Sequence, residues 1–411
     1  MSDHPANDGA LRPVGARFDD LRLDRVDLAD GALDHASFVR CSLRGANLLR
    51  ASLRAASFEA CDLSGACLYG AQLTGASLID CSLAGADLRD ATLDEADLAG
   101  SDPCAAWIEG ATFRSASLGA ATLAQRAWAG VSFAGADLTG ASLAGLDLAG
   151  LDLTGATLDG CDLTGARLTD ATLTGATLEE VTLTNATLTG ATLTDAALSS
   201  AALTGADLRA VQLTGADFTG ADFAGVQLTG GRFEETIFES ALGDGTDWRG
   251  CELVNVSFDG ASLKGARFDA VRGARVSFKK ADLTGAVLAR ATLPESDLRE
   301  AVLDRIDARG AALRESAMDE AHAHDASFGG ADLRGLRAPK ADLRRSSFAG
   351  AKLPYADLSH ARLEGCIMSD AELFMVNLHR ARTDGMHTVG ADLRLAEGTD
   401  PERAKAEDFT P

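Results

Sequence analysis

A large apolar residue returns at every fifth position from Phe18 to Leu393, with no insertion or deletion between them. The phase has 76 slots, and 68 of them hold Leu, Phe, Met, Ile or Trp. Phe38, Leu43, Leu48, Leu53, Phe58 and Leu63 form one unbroken run, and Leu153 to Leu213 forms another. Two residues before each slot sits something small, as at Ala46, Ala51, Ala56, Cys61, Ala66 and Ala71. The residue between is usually Asp, Thr, Ser or Asn, as in Ala86-Asp87-Leu88 and Ala281-Asp282-Leu283. An α-helix turns 100° per residue, so a five-residue period makes no stable helical face. A strand needs period two. Strict phase over about 375 residues predicts a solenoid. Its unit is a short extended piece followed by a corner. Residues two apart on the extended piece share a direction, so the small and the large residue both point inward. Gly crowds the corner, at Gly65, Gly75, Gly85, Gly155, Gly165 and Gly215, because it accepts positive φ.

The repeated unit, Ala-(Asp/Thr/Ser/Asn)-Leu-x-x, resembles the pentapeptide-repeat family over residues 16–395. The resemblance implies an all-β chain: a right-handed, four-sided parallel β-helix with four repeats, or 20 residues, per coil. On that reading the repeats make 19 coils, and a rod ~90 Å long at the spacing of stacked strands. The sequence offers its own check. Cys41, Cys61 and Cys81 fall 20 apart, as do Phe18, Phe38 and Phe58. Phe218, Phe238, Phe258 and Phe278 do likewise, and so do the pairs Phe113/Phe133 and Phe328/Phe348. Fourteen of the 16 Phe occupy the large slot; Phe374 and Phe409 do not.

Three segments are expected. Residues 1–15 are a disordered stretch or N-terminal cap, 16–395 the β-helix, and 396–411 a C-terminal capping segment. A short helix over about 400–408 follows from Asp400 as N-cap, Pro401 at the first helical position and Glu402 in the first turn. It is expected to cover the open last coil, which is otherwise an unpaired sheet edge. The pattern weakens at Pro103, at Arg126 beside Trp128, at Gly243, and at Thr383 and Thr388. Bulges or a bend are expected there, most of all at 240–247.

Composition narrows the function. The net charge is −23, from 61 acidic and 38 basic residues. No run of 18 apolar residues offers a membrane span, and Met1 to Pro5 carries no export signature. Six of eight cysteines (Cys41, Cys61, Cys81, Cys161, Cys251, Cys366) take the small inward slot and read as core fillers. There is no Cys-x-x-Cys pair, and a cytoplasmic setting is expected. Catalysis needs titratable groups converging in a concavity; the interior is apolar, so no enzyme and no cofactor is expected. His322-Ala323-His324-Asp325, with Asp304 and Asp342 on neighbouring coils, is the best metal candidate. Two histidines with scattered carboxylates read better as surface residues, so no metal site is assigned.

The outer faces say more. With four walls per coil, the wall holding Phe38 carries a net −9 by count of its residues. Between residues 96 and 260 it has no Lys or Arg, but it holds Asp97, Asp137, Asp159, Glu179, Glu180, Asp217, Glu239 and Asp259. Such a wall attracts a protein partner with a basic surface. Beyond residue 260 Lys279, Lys280, Arg337 and Lys340 interrupt it. A second candidate is apolar: Tyr355, Met375 and Leu395 share one outward column, with Phe374 beside Met375. Exposed apolar ladders mark contacts, either with the folded-back terminal helix or with a second subunit at the C-terminal end. The expected function is a non-enzymatic scaffold for protein–protein interaction. The resemblance adds an accessory role beside a bacterial secretion system as one form of it. It also supplies the alternative, a DNA-mimicking protein that occupies the DNA groove of gyrase. Neither direct nucleic-acid binding nor membrane association is expected.

Overall fold

The computed structural model describes residues 14–119 and 130–408. Contacts divide the chain into two compact units, Met1–Ala197 and Leu198–Pro411, each described by itself. Both are parallel β-solenoids in which a residue pairs with the one 20 positions later.

In unit 1 the strands β1 (Arg17–Asp19), β2 (Ser37–Val39), β3 (Ser57–Glu59) and β4 (Ser77–Ile79) form one parallel sheet in chain order. Their register sets Phe18 on Phe38 and Phe38 on Phe58. In unit 2, β5 (Arg232–Glu234), β6 (Glu252–Val254) and β7 (Arg272–Ala274) do the same. Elsewhere pairing reduces to single parallel bridges at the same offset, such as Asp137 with Thr157 and Asp307 with Ser327. Four five-residue repeats therefore close one coil. The expected total of 19 coils runs through 120–129, outside the described residues.

The core is the predicted spine. Leu48, Leu148 and Leu298 are buried, as are Ala46, Leu146 and Ser296 two residues before them. Each such Leu contributes ~1.5–3 kcal/mol. The phenylalanine columns stack as expected, at centroid separations of 4.7 Å for Phe18/Phe38, 5.1 Å for Phe113/Phe133 and 5.2 Å for Phe258/Phe278. The corner residue takes positive φ whether it is Gly or not: Gly65 at 67°, Asp80 at 53°, Arg290 at 60°. Most corners close a turn in which the small residue's amide donates to the preceding large residue's carbonyl, as Ala51 does to Leu48 at 3.0 Å.

The irregular positions resolve in different ways. Pro103 starts a 3-10 turn, Pro103–Ala105. Arg126 and Trp128 lie outside the described residues. Around 240–247 the 20-residue register continues, with Leu242 bridging both Asp222 and Ser262. The next large slot holds Trp248, fully buried against Phe233, Phe238, Phe258 and Phe268 at 5.0–5.7 Å. Its indole N–H donates to Thr246 Oγ1 at 2.7 Å. A Cβ at Gly243 would approach Leu263 to 3.0 Å, and one at Gly273 would lie 2.1 Å from the Leu253 carbonyl oxygen.

Helix α1 (Pro401–Asp408) forms where expected. Asp400 Oδ1 accepts from the amides of Glu402 at 2.9 Å and Arg403 at 3.2 Å, as an N-cap does. Its place is not the expected one. Among the described residues the last coil stays open: Thr383 and Leu393, in large slots, are exposed and Thr388 is half-buried. The helix lies instead against His360, His379 and Arg380, because it has no apolar face with which to cover a greasy end.

Candidate functional site: outward columns and charged corners

The eight acidic residues fall on matching columns within each unit. In unit 1, Asp97 and Asp137 flank Ser117 in successive bridges, and the Asp159 carboxylate accepts from the amide of Glu179 at 2.9 Å. Glu180 follows at a corner with φ 56°. In unit 2, Asp217 heads a column through Ile237, Ser257 and Ser277 to Asp297, and Glu239 and Asp259 share the next. Several of these carboxylates also tie down their own corner. Asp137 Oδ1 accepts from the Thr139 amide and hydroxyl, and Asp217 Oδ1 from those of Thr219. Ser277 Oγ donates to Asp259 and Ser257 Oγ to Glu239.

The eight share the lack of an ion pair with carboxylates on other faces, such as Asp162, Asp170 and Asp195 in unit 1 and Asp222 in unit 2; what sets their wall apart is that residues 96–260 of it hold no Lys or Arg. Among the described residues none of the eight has a basic side chain within ion-pair distance. Beyond residue 260, acids facing the same way are neutralised: Asp297 by Arg299 at 2.5 Å, Glu300 by Lys280 at 3.6 Å, Asp319 by Arg337 and Glu320 by Lys340, both at 3.1 Å. Elsewhere Asp-x-Arg pairs do the same, as in Asp87/Arg89, Asp207/Arg209 and Asp307/Arg309.

Tyr355, Met375 and Leu395 also form the column expected. They are 63%, 41% and 68% exposed, and Phe374 meets the Tyr355 ring edge-on at 5.8 Å. All three are corner residues at positive φ, 63°, 54° and 56°. A bulky side chain there bears both backbone strain and contact with water. With α1 in place all three stay exposed, and the polar contacts of the helix run to His360, His379 and Arg380.

The histidine cluster holds a buried carboxylate in place of an ion. Asp342 takes a bidentate pair from Arg344 at 2.7 and 2.8 Å, Arg362 at 3.1 Å and His324 at 3.0 Å. Burial raises its pKa, but hydrogen bonds from Arg344 and His324 outweigh that and hold it down to about 2. His322 and His324 converge with Asp342, but two guanidinium groups already occupy the space a cation would claim.

One set of polar residues was missed in the sequence. Where a corner lacks its turn hydrogen bond, a Ser or Cys from the next coil supplies it. Ser101 Oγ accepts from the Cys81 amide and donates to the Leu78 carbonyl, both at 2.7 Å. Ser346 Oγ links the Ala326 amide and the Ala323 carbonyl, and Cys61 Sγ links the Cys41 amide and the Phe38 carbonyl. The only signal was a hydroxyl or thiol where Ala is the norm.

The model for pentapeptide repeats (8 copies) matches residues 33–102, 132–239, 244–272, 274–335 and 340–370 in overlapping segments. The chain belongs to the pentapeptide-repeat family. No curated protein matches. Among solved structures it is similar to HetL, a pentapeptide repeat protein involved in heterocyst differentiation regulation from the cyanobacterium Nostoc sp. strain PCC 7120. The identity is 26% over 59% of this chain and 87% of that one, with a TM-score of 0.19. It is also similar to full-length QnrB1, a plasmid-mediated fluoroquinolone resistance protein, at 14% identity over 56% of this chain and 96% of that one, TM-score 0.26. A third is Rfr23 from the cyanobacterium Cyanothece 51142, at 23% over 33% and 90%, TM-score 0.17. No helix among the described residues is long and apolar enough to cross a membrane.

Proposed function

We propose that this chain is a binding scaffold whose unpaired acidic columns receive a basic protein surface. The observation that carries the reading is one wall that over residues 96–260 holds eight acids and no Lys or Arg. Asp97, Asp137, Asp159, Glu179 and Glu180 in unit 1, and Asp217, Glu239 and Asp259 in unit 2, keep their charge uncompensated. Beyond residue 260 Asp297, Glu300, Asp319 and Glu320 are paired with Arg or Lys, while among the described residues Asp357 is not. Uncompensated carboxylates in a regular row raise the association rate of a cationic partner and make binding fall with salt. Service beside a secretion apparatus is one setting for such a scaffold. The test is capture from the native host with wild-type protein and with Asp137→Lys/Glu179→Lys/Asp217→Lys. A partner retained equally by both would sink the proposal.

The same columns support a second reading, in which the partner is a topoisomerase and the carboxylates stand in for duplex phosphates. In unit 1, five charges over ~24 Å at the spacing of stacked strands are sparse against ~14 phosphates on that length of duplex, so this reading ranks second. A supercoiling assay with DNA gyrase decides it: no inhibition at micromolar protein removes it.

The exposed Tyr355–Met375–Leu395 column and the open last coil support self-association at the C-terminal end. Light scattering on Tyr355→Asp/Met375→Asp should then report a monomer where the wild type reports a dimer.

A further inference from the structure

Side chains from three separate stretches meet at the end of unit 2. Glu407 Oε2 lies 3.4 Å from His360 Nε2, 3.3 Å from His379 Nε2 and 3.3 Å from Arg380 Nε. Its other oxygen lies 3.0 Å from Arg403 Nε. Arg380 also reaches Asp408 at 2.7 Å and donates to the Ala404 carbonyl. His379 is almost wholly buried, whereas α1 buries none of its own residues. An isolated eight-residue helix is unstable in water, so these polar contacts hold α1 in place.

Two imidazoles and a carboxylate converging this closely form a donor set suited to a divalent cation. Two details argue for an anion instead. The guanidinium groups of Arg380 and Arg403 stand where they would repel a cation. The Asp400 amide donates to His379 Nδ1 at 3.1 Å, which needs the lone pair on Nδ1 and leaves the proton of a neutral ring on Nε2, facing Glu407. A metal on Nε2 would need the opposite tautomer and would set one N–H against another.

We propose that the His360–His379–Arg380 corner is a carboxylate-recognition site, that α1 fills it in cis through Glu407 and Asp408, and that an acidic helical segment of a partner protein takes its place. Charge complementarity identifies the occupant: the resident carboxylates, Glu407 and Asp408, meet imidazole and guanidinium groups. Tethering gives α1 an effective concentration on the order of millimolar, so a free acidic peptide competes poorly until the cis contacts are weakened.

The test uses the full chain carrying Glu407→Gln/Asp408→Asn, with a fluorescein-labelled synthetic peptide of residues 399–408 as the probe. Amide exchange across 401–408 should rise about tenfold or more in the variant, and the peptide should bind it at least about tenfold more tightly than wild type. Adding Arg380→Ala in that background should abolish the binding. Unchanged exchange overturns the proposal, and so does peptide binding indifferent to Arg380→Ala. Zinc supplies the remaining arm. If one equivalent protects the helix amides of wild type, and His360→Ala removes that protection, the corner is a cation site and the carboxylate assignment fails.

Discussion

Ser101, Ser346 and Cys61 show how much a single atom decides in a repeat this plain. Each sits in a slot that Ala usually fills, and each satisfies an amide and a carbonyl that an open corner leaves unpaired. A buried polar group without a partner costs about 1–3 kcal/mol. Ser346→Ala should therefore lower stability by about that much in urea denaturation, while Ser346→Cys should recover part of it. The other buried thiols add a pH dependence. Burial pushes Cys161, Cys251 and Cys366 from an ordinary 9.0 up to about 11. The folded state then holds protons the unfolded chain releases, so stability is intact below pH 9.0 and is lost as pH rises toward about 11. Thermal melts from pH 8 to 11 should show that decline, with Cys161→Ala reducing its slope. The slot was legible in the sequence; the role was not. Periodicity says which residues point inward but not which corners lack their turn bond.

Trp248 makes the corresponding case for a whole coil. Gly243 suggested a bend because a large slot stood empty. The register runs straight through it, and the space a Cβ would take at Gly243 is bounded by Leu263 and Thr246. Reading along one wall could not reveal that Trp248 packs on rings from several walls, Phe233, Phe238, Phe258 and Phe268. Trp248→Ala should cost about 3–5 kcal/mol. Because solenoid coils contact mainly their neighbours, hydrogen exchange should quicken first across 218–278. Helix α1 was legible for a different reason: the Asp400-Pro401-Glu402 start signal is local chemistry. Its docking site was not, because polar contacts with His360, His379 and Arg380 depend on which coils come last.

For the whole molecule, the charge of −23 is unevenly compensated. Ion pairs neutralise many acids where Arg is frequent, and the eight bare carboxylates keep theirs. Binding of a basic partner should weaken steeply between about 50 and 200 mM salt if those columns carry it, because exposed charges are screened over about a Debye length. Asp137→Lys/Glu179→Lys/Asp217→Lys should flatten that dependence as it abolishes binding, with folding unchanged by circular dichroism. The family and coil length were legible because the five-residue phase never slips. The partner was not, because every wall obeys the same rule and only departures from it carry information.

One consequence follows from the constant offset between paired residues. Since position n always meets n + 20, excising or duplicating any such block inside a unit returns every remaining strand to an equivalent neighbour. Genes for chains of this kind can lengthen or shorten in whole steps that keep the backbone pairing, wherever no special side chain such as Ser101 or Trp248 bridges the join, whereas a slip of one codon misaligns the seam where it falls.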